Sequence, residues 1–196
     1  SANRDWPWSK ERSEAKARSL FAKAYPAIHR HLSYHEDKLR IRDDQGKFWW
    51  ELRSCIYWTE FERPKIIYPD IAHSSKFTWD NSNACLGNTA YMIPTNEEWL
   101  VGLLNSKLTW WFYANITSTI QGGFVRFIAQ YMGQLPIPSA TATQKAPITE
   151  RVRKILADPD SPAVPRLESE IDDLVYKLYG LTKDEIALVE ESGKSL

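Results

Sequence analysis

The chain has 196 residues, with 25 Lys and Arg against 25 Asp and Glu. Hydrophobic residues make up 43%, which excludes wholesale disorder, and the length suits one good core or one domain with a small appendage. Net neutrality hides an asymmetry: residues 1–65 hold 14 basic against 10 acidic side chains, residues 66–139 hold 3 against 4, and residues 140–196 hold 8 against 11. A basic front and an acidic tail keep nucleic acid open as a partner. Cys55 and Cys85 lie far apart with no CxxC, no secretory signal is recognisable, and no apolar run reaches membrane length. The expectation is a cytoplasmic protein with reduced thiols and no membrane partner.

In chain order, residues 1–25 read as a helix with a thin apolar side, and Pro26 stops it. A short helix follows, with Ile28, Leu32 and Leu39 as apolar positions. His31 and His35 sit at a spacing that suits metal, yet no third ligand is evident, so a helix-surface pair is the better reading. Asp43, Asp44, Gln45 and Gly46 signal a turn. Beyond it, KFWWELRSCIYW, KIIYPDIA, KFTWD and NTAYMIP are short runs of aromatic and β-branched residues separated by turn formers, which predicts a compact antiparallel β region. In a strand, Trp49 and Trp50 would alternate, one in the core and the other exposed.

Thr95 to Glu98 predict a capping box that opens a helix, along which Leu100, Leu103, Leu104, Leu108 and Trp111 repeat at helical spacing. Its middle carries the polar residues Asn105, Ser106 and Lys107. Residues 116–128 look extended and are broken by Gly122 and Gly123, and Pro136 and Pro138 close the β region. A short helix is predicted after Pro147. A clean stripe of Leu167, Ile171, Leu174, Val175 and Leu178 then ends at Gly180, and a second capping box, Thr182 and Glu185, starts the last helix. Such a helical hairpin cannot bury its stripes alone. It must dock on the β region or on another protein.

GxGxxG, P-loop, GxSxG and HExxH motifs and a cysteine cluster are all missing. Asp43–Asp44 reads as a turn and Asp172–Asp173 as a helix face. No catalytic or metal-binding residue is assigned.

Several pieces, taken in order, carry a resemblance. They are YPAIHRHL, KLRIRDDQGKFWWELR, RPKIIYPDIA, NTAYMIP, LVGLLNSKLTWWFY, QGGFVRF, YMGQLPIP and IDDLVYKLYGLTKDEIALVE. Together they resemble the TaqI-like C-terminal specificity (target-recognition) domain of adenine-N6 DNA methyltransferases of restriction-modification systems, over roughly residues 25–190. The resemblance implies an α+β fold: a compact, mainly antiparallel β target-recognition region with a packed helix, followed by a C-terminal helical hairpin. It implies residues 1–25 as a helical linker from an upstream catalytic domain, residues 26–140 as the recognition domain and residues 141–196 as a helical C-terminal segment. Double-stranded DNA and that upstream methyltransferase domain are the implied partners. No cofactor is expected in this chain; S-adenosylmethionine and an NPPY-type motif for the flipped adenine belong to the catalytic domain. Oligomeric state is left open.

A DNA reader needs Arg and Lys for phosphates, and Asn, Gln or Arg for base edges. Exposed polar residues beside the β segments supply the candidates: Arg53, Arg63, Lys65, Ser74, Ser75, Lys76, Thr117, Ser118, Gln121, Gly122, Gly123 and Arg126. The two glycines allow close approach to a DNA backbone and a pliable loop. Each candidate has an ordinary alternative. Arg53 and Arg63 can pair with nearby glutamates, Lys76 can be a plain surface lysine, and Arg126 can be a strand residue salt-bridged to Asp70 or Asp80. Two other functional readings stay open. The acidic tail helices can dock a protein partner, which an apolar patch along them would favour, and a parent protein can also cut DNA through a nuclease domain elsewhere.

Overall fold

The computed structural model describes residues 5–120 and 122–192 and divides into two compact units, Ser1–Glu60 and Phe61–Leu196. Within the first, α1 (Glu14–Ala24), α2 (Pro26–Tyr34) and α3 (Glu36–Arg40) precede a run of turns. Pro26 stands at the first position of α2, where its missing N–H costs nothing. The core is Trp8, Ala17, Phe21, Phe48, Trp49 and Trp50.

Residues 47–58 are not a strand. Among the described residues their one ladder contact is an isolated bridge from Gln45 to Leu52. The reason is the buried Glu51. Its carboxylate accepts from the Trp8 indole at 2.8 Å and from the backbone N–H of Lys47 and Phe48 at 2.8 and 3.2 Å. The chain wraps into a tight turn around that carboxylate, and Gly46 is needed because a Cβ there would lie 2.6 Å from the Leu52 carbonyl. Wrapping also removes the alternation expected of the tryptophans. Trp49 and Trp50 are both buried, and the guanidinium groups of Arg18 and Arg40 lie 5.7 and 5.6 Å from the Trp49 ring. The rings of His31 and His35 meet edge-on at 5.2 Å. A 3-10 turn, Trp58–Glu62, spans the junction of the units.

The second unit is α+β. β1 (Lys65–Pro69), β3 (Thr78–Asp80) and β4 (Ala90–Pro94) form one antiparallel sheet in the order β3-β1-β4. β2 (Ile71–Ala72), β5 (Thr119–Ile120) and β6 (Phe124–Arg126) form a second, in the order β2-β6-β5. Between them lie α4 (Trp99–Asn105) and α5 (Lys107–Ile116). The short α6 (Ala129–Met132) and the tail helices α7 (Ala142–Ala157), α8 (Val164–Tyr179) and α9 (Lys183–Ser192) complete the unit. One core joins Ile66, Tyr68 and Val125 of the strands, and Phe127 just after β6, to Leu103 and Tyr113 of the central helices and to Ile148, Val152, Ile171 and Val175 of the tail.

The tail stripe is thus consumed inside the molecule. α7 and α8 pack on α4, and α8 and α9 on α5. Gly180 ends α8 at φ 70°, and Thr182 and Glu185 exchange hydrogen bonds as a capping box should. The helix expected after Pro147 starts earlier, at Ala142, because Thr141 and Gln144 form a reciprocal cap. Pro147 sits inside it.

Thr95 and Glu98 make no capping box. Thr95 instead accepts from the N–H of Glu97, while Glu97 takes the Trp99 indole and Lys145, and Glu98 pairs with Arg153. Three polar residues that looked misplaced in one long helix end it and hold its neighbours. Asn105 clamps the backbone of Phe77 on both sides, at 2.9 and 2.7 Å. Ser106 caps α5 through the Thr109 N–H. The Lys107 N–H donates to Asp172 at 2.9 Å, and its ammonium pairs with Glu190 at 2.7 Å.

Gly102 lets α4 approach α7 and α8. A Cβ there would lie 2.7 Å from Ile148, 3.0 Å from Val152 and 3.3 Å from Ile171. Gly102→Ala is therefore expected to destabilise the fold by about 1–3 kcal/mol through overpacking, read by denaturant unfolding.

Asp172, buried under α5, titrates abnormally. Burial pushes its carboxyl up to about 6 against the opposing Lys107 N–H. A carboxyl whose folded pKa is raised contributes stability at low pH that is lost as pH rises through the folded value. Asp172→Asn keeps the acceptor for Lys107 and removes that loss. The difference in Tm between variant and parent should shift in favour of the variant between about pH 4 and pH 6, and a constant difference across that range would refute the assignment.

Candidate functional site

One strand, residues 65–72, serves both sheets of the second unit, and Asp70 is where it passes from one to the other. The Asp70 N–H donates to the Thr89 carbonyl at 2.9 Å, at the end of β4, while its carbonyl accepts from the Phe127 N–H at 2.8 Å, beyond β6. Its carboxylate takes the Arg126 guanidinium, with Nη2 at 2.9 and 3.2 Å from the two oxygens. Arg126 is thus salt-bridged, and the hydrogen bonds to Asp70 raise its pKa further. Half of its side chain stays exposed, so an outward edge of the cation faces solvent.

The hairpin carrying Arg126 is held from behind. The Tyr113 hydroxyl donates to the Arg126 carbonyl at 2.6 Å, and the Tyr113 ring stacks on Phe127 at 4.7 Å. Burial drives the Tyr113 phenol up to about 12, so it remains a donor at neutral pH. At the tip, Ile120 pairs with Phe124, and Gly122 and Gly123 have φ of 85° and 78°. These glycines fix a tight left-handed turn that other residues resist. Gln121 lies outside the described residues.

Register decides what the small sheet shows. Val125 and Ala72 face the core, so Ile71, Phe124, Arg126 and Ile120 share the opposite face. The His73 ring lies on Phe124, centroids 3.5 Å apart. The result is a platform of the exposed Arg126, His73, Ile71 and Ile120 around a half-buried Phe124. Ser74, Ser75 and Lys76 continue from His73 beside the glycine turn, in a loop pinned at one end by β2 and at the other by Asn105 on Phe77. Ser74 and Lys76 are exposed and Ser75 is half-buried. The structure thus brings His73 against Phe124 and Gly123, on the hairpin that carries Arg126, while Ser75 faces a cavity lined by Gly102, Asn105, Val152 and Ile171. Thr117 caps α5 and leads with the exposed Ser118 into the hairpin.

Lys65 is a correction. Its side chain is fully buried, with the ammonium 2.6 Å from Asp80 and 2.8 Å from the Phe61 carbonyl. It cannot reach a ligand on the surface, because the first residue of β1 points inward and its charge is satisfied there. Arg53 and Arg63 are exposed, the former in the first unit. Sequence reasoning missed His73 and Phe124, and also Asp70 as the joint. Only the alternation of β6 about Val125 could have pointed to Phe124.

Burial works to raise the Asp80 pKa, but hydrogen bonds from Lys65 and Ser82 outweigh it and hold the carboxyl at about 2. A depressed pKa gives stability that is present above the unfolded value and lost as pH falls toward the folded one. Lys65→Met should cost about 3–5 kcal/mol by stranding Asp80. It should also flatten the loss of stability between about pH 4 and pH 2, which thermal melts in that range would read.

Comparison with known proteins gives the family. Residues 14–137 match the TaqI-like C-terminal specificity domain. The chain belongs to that family. A type II methyltransferase of Pseudomonas aeruginosa, M.PaeR7I, is 27% identical over 177 residues, covering 87% of this chain and 29% of that protein. M.BanIII of Aneurinibacillus aneurinilyticus is 22% identical over 188 residues, 90% of this chain and 32% of its own length. For M.XhoI of Xanthomonas vasicola the figures are 27%, 173 residues, 85% and 30%. The chain thus spans about 30% of the length of the curated relatives it matches. Residues 1–13 are too few to account for coverage beyond the family match, so the similarity extends into the helical tail.

Proposed function

We propose that this chain is the DNA sequence-recognition domain of a type II restriction-modification methyltransferase. It would hold the duplex in register for a catalytic domain carried elsewhere in a longer cytoplasmic protein. That domain would bind S-adenosylmethionine and methylate adenine at N6. The observation that carries the reading is the specificity-domain match across residues 14–137. The platform around Arg126 supports it, since a guanidinium and an exposed histidine ring on a half-buried phenylalanine suit phosphate and base contacts. No catalytic role is assigned to any residue of this chain.

A protein-docking role for the tail has no comparable support. Its stripe is spent on the central helices, and Lys107 and the Tyr176 hydroxyl tie α9 down through Glu190.

The test is duplex binding by the chain, measured by fluorescence anisotropy across a salt series. Lys76→Ala should lower affinity on all sequences and reduce the salt slope by about 1, as a phosphate contact does. A base contact by Arg126 would instead relax one position of the site by about 1–3 kcal/mol in Arg126→Ala. Absence of duplex binding, or variants indistinguishable from the parent, would reject the reading.

A further inference from the structure

A loop outside the hairpin carries the next step, which rests on the DNA-recognition reading. Residues 81–89, NSNACLGNT, connect β3 to β4. The departure is fixed. Asp80 accepts from the Ser82 hydroxyl at 2.6 Å, from the Ser82 N–H at 3.3 Å and from the Ala84 N–H at 3.3 Å, and it is itself held by the buried Lys65. The return is fixed too. The Thr89 carbonyl takes the Asp70 N–H, the same Asp70 that grips Arg126. The loop's end and the base of the hairpin therefore meet on one residue.

Between these anchors the loop is open and uncharged. Asn81, Ser82, Asn83, Cys85, Gly87, Asn88 and Thr89 are exposed, and a Cβ at Gly87 would meet nothing within 4 Å. Residues 81–96 contain no Asp, Glu, Lys or Arg. Asp80 already supplies the turn-forming hydrogen bonds that asparagines often make in loops. Among the described residues, the side chains of Asn81, Asn83 and Asn88 make no hydrogen bond. Three unengaged carboxamides thus stand on a loop rooted at both ends: it leaves β3 across from Lys65 and returns at Thr89, where Asn88 adjoins the base of the cationic hairpin. A carboxamide donates and accepts side by side, which matches the N6 and N7 edge of adenine, and an uncharged loop neither repels phosphates nor gains from them.

We infer that residues 81–89 form a second base-reading loop, in which Asn81, Asn83 and Asn88 set the preference for A·T pairs at one part of the recognised site. It works beside the hairpin, which contributes the cationic contacts.

The experiment uses the whole chain and a randomised duplex pool. Cys55 and Cys85 are its two cysteines, so Cys55→Ser leaves Cys85, within the loop, as a single attachment point for an azidophenacyl photocrosslinker. The labelled chain should crosslink to the duplexes it selects. The variant Asn81→Ala, Asn83→Gly and Asn88→Ala uses glycine at 83 because that residue has φ 62°. It should lose preference at one or more A·T positions, with about 5- to 100-fold weaker binding to the parent's selected site for each adenine no longer read. Its salt slope should be unchanged. No Cys85 adduct with selected duplex, or an identical motif and affinity in the variant, overturns the inference while DNA recognition stands. A chain that selects no duplex at all overturns both.

Discussion

The site depends on Asp70. A strand that leaves one sheet and enters another must satisfy its backbone at the crossing, and Asp70 does so with one N–H to Thr89 and one carbonyl to Phe127. Its side chain adds the Arg126 pair. Without that joint the β2-β6-β5 sheet, whose strands are two or three residues long, would lose its backbone tie to the longer sheet. The joint also bears on what the surface offers, because the loop at 81–89 returns there through Thr89 and the hairpin is tied there through Arg126 and Phe127. An exposed ion pair of this kind is worth little as stability. Its value is orientation: it holds the guanidinium on one side and leaves the other open.

Rigidity behind the joint comes from the helices. Tyr113 reaches from α5 to the Arg126 carbonyl, and Asn105 reaches from α4 to both polar groups of the Phe77 backbone. Loops that read a ligand are most useful on a scaffold that does not yield, and here the central helices are themselves braced from the far side by α7, α8 and α9. The acidic tail is thus structural. Its Asp172 and Glu190 meet Lys107, and the apolar stripe closes the core.

Much of this was legible. The α8 stripe, the Gly180 stop, the Thr182–Glu185 cap and the strand-like run from Lys65 to Tyr68 follow from periodicity and local chemistry, so the structure repeats them, with the strand one residue longer. The failures share one cause: a side chain with a distant partner overrode local preference. Phe48 to Trp50 have strand propensity, but the Glu51 carboxylate gathers the backbone around itself and draws the Trp8 indole from 43 residues away. Lys65 looked like a surface cation until Asp80 met it inside. Thr95 has the spacing of a cap, yet Glu97 and Glu98 are taken by Lys145 and Arg153. The family resemblance was visible in scattered short pieces, whereas the face built by β2 and β6 requires knowing which strands pair.

The charge pattern has a physical reading once the platform is seen. Residues 66–139 hold 3 basic and 4 acidic side chains, and two of those bases, Lys107 and Arg126, are already paired. Such a surface generates little long-range attraction for a polyanion. Phosphate attraction is, however, the part of DNA binding that carries no sequence information. In the proposed reading it can be supplied by exposed basic side chains that precede Lys65 and by the rest of a larger protein. A recognition surface relieved of that task gains from being neutral, because weak non-specific attraction widens the gap between the right site and all the wrong ones. Carboxamides, hydroxyls and one oriented guanidinium are the chemistry that such a division of labour leaves to the loops.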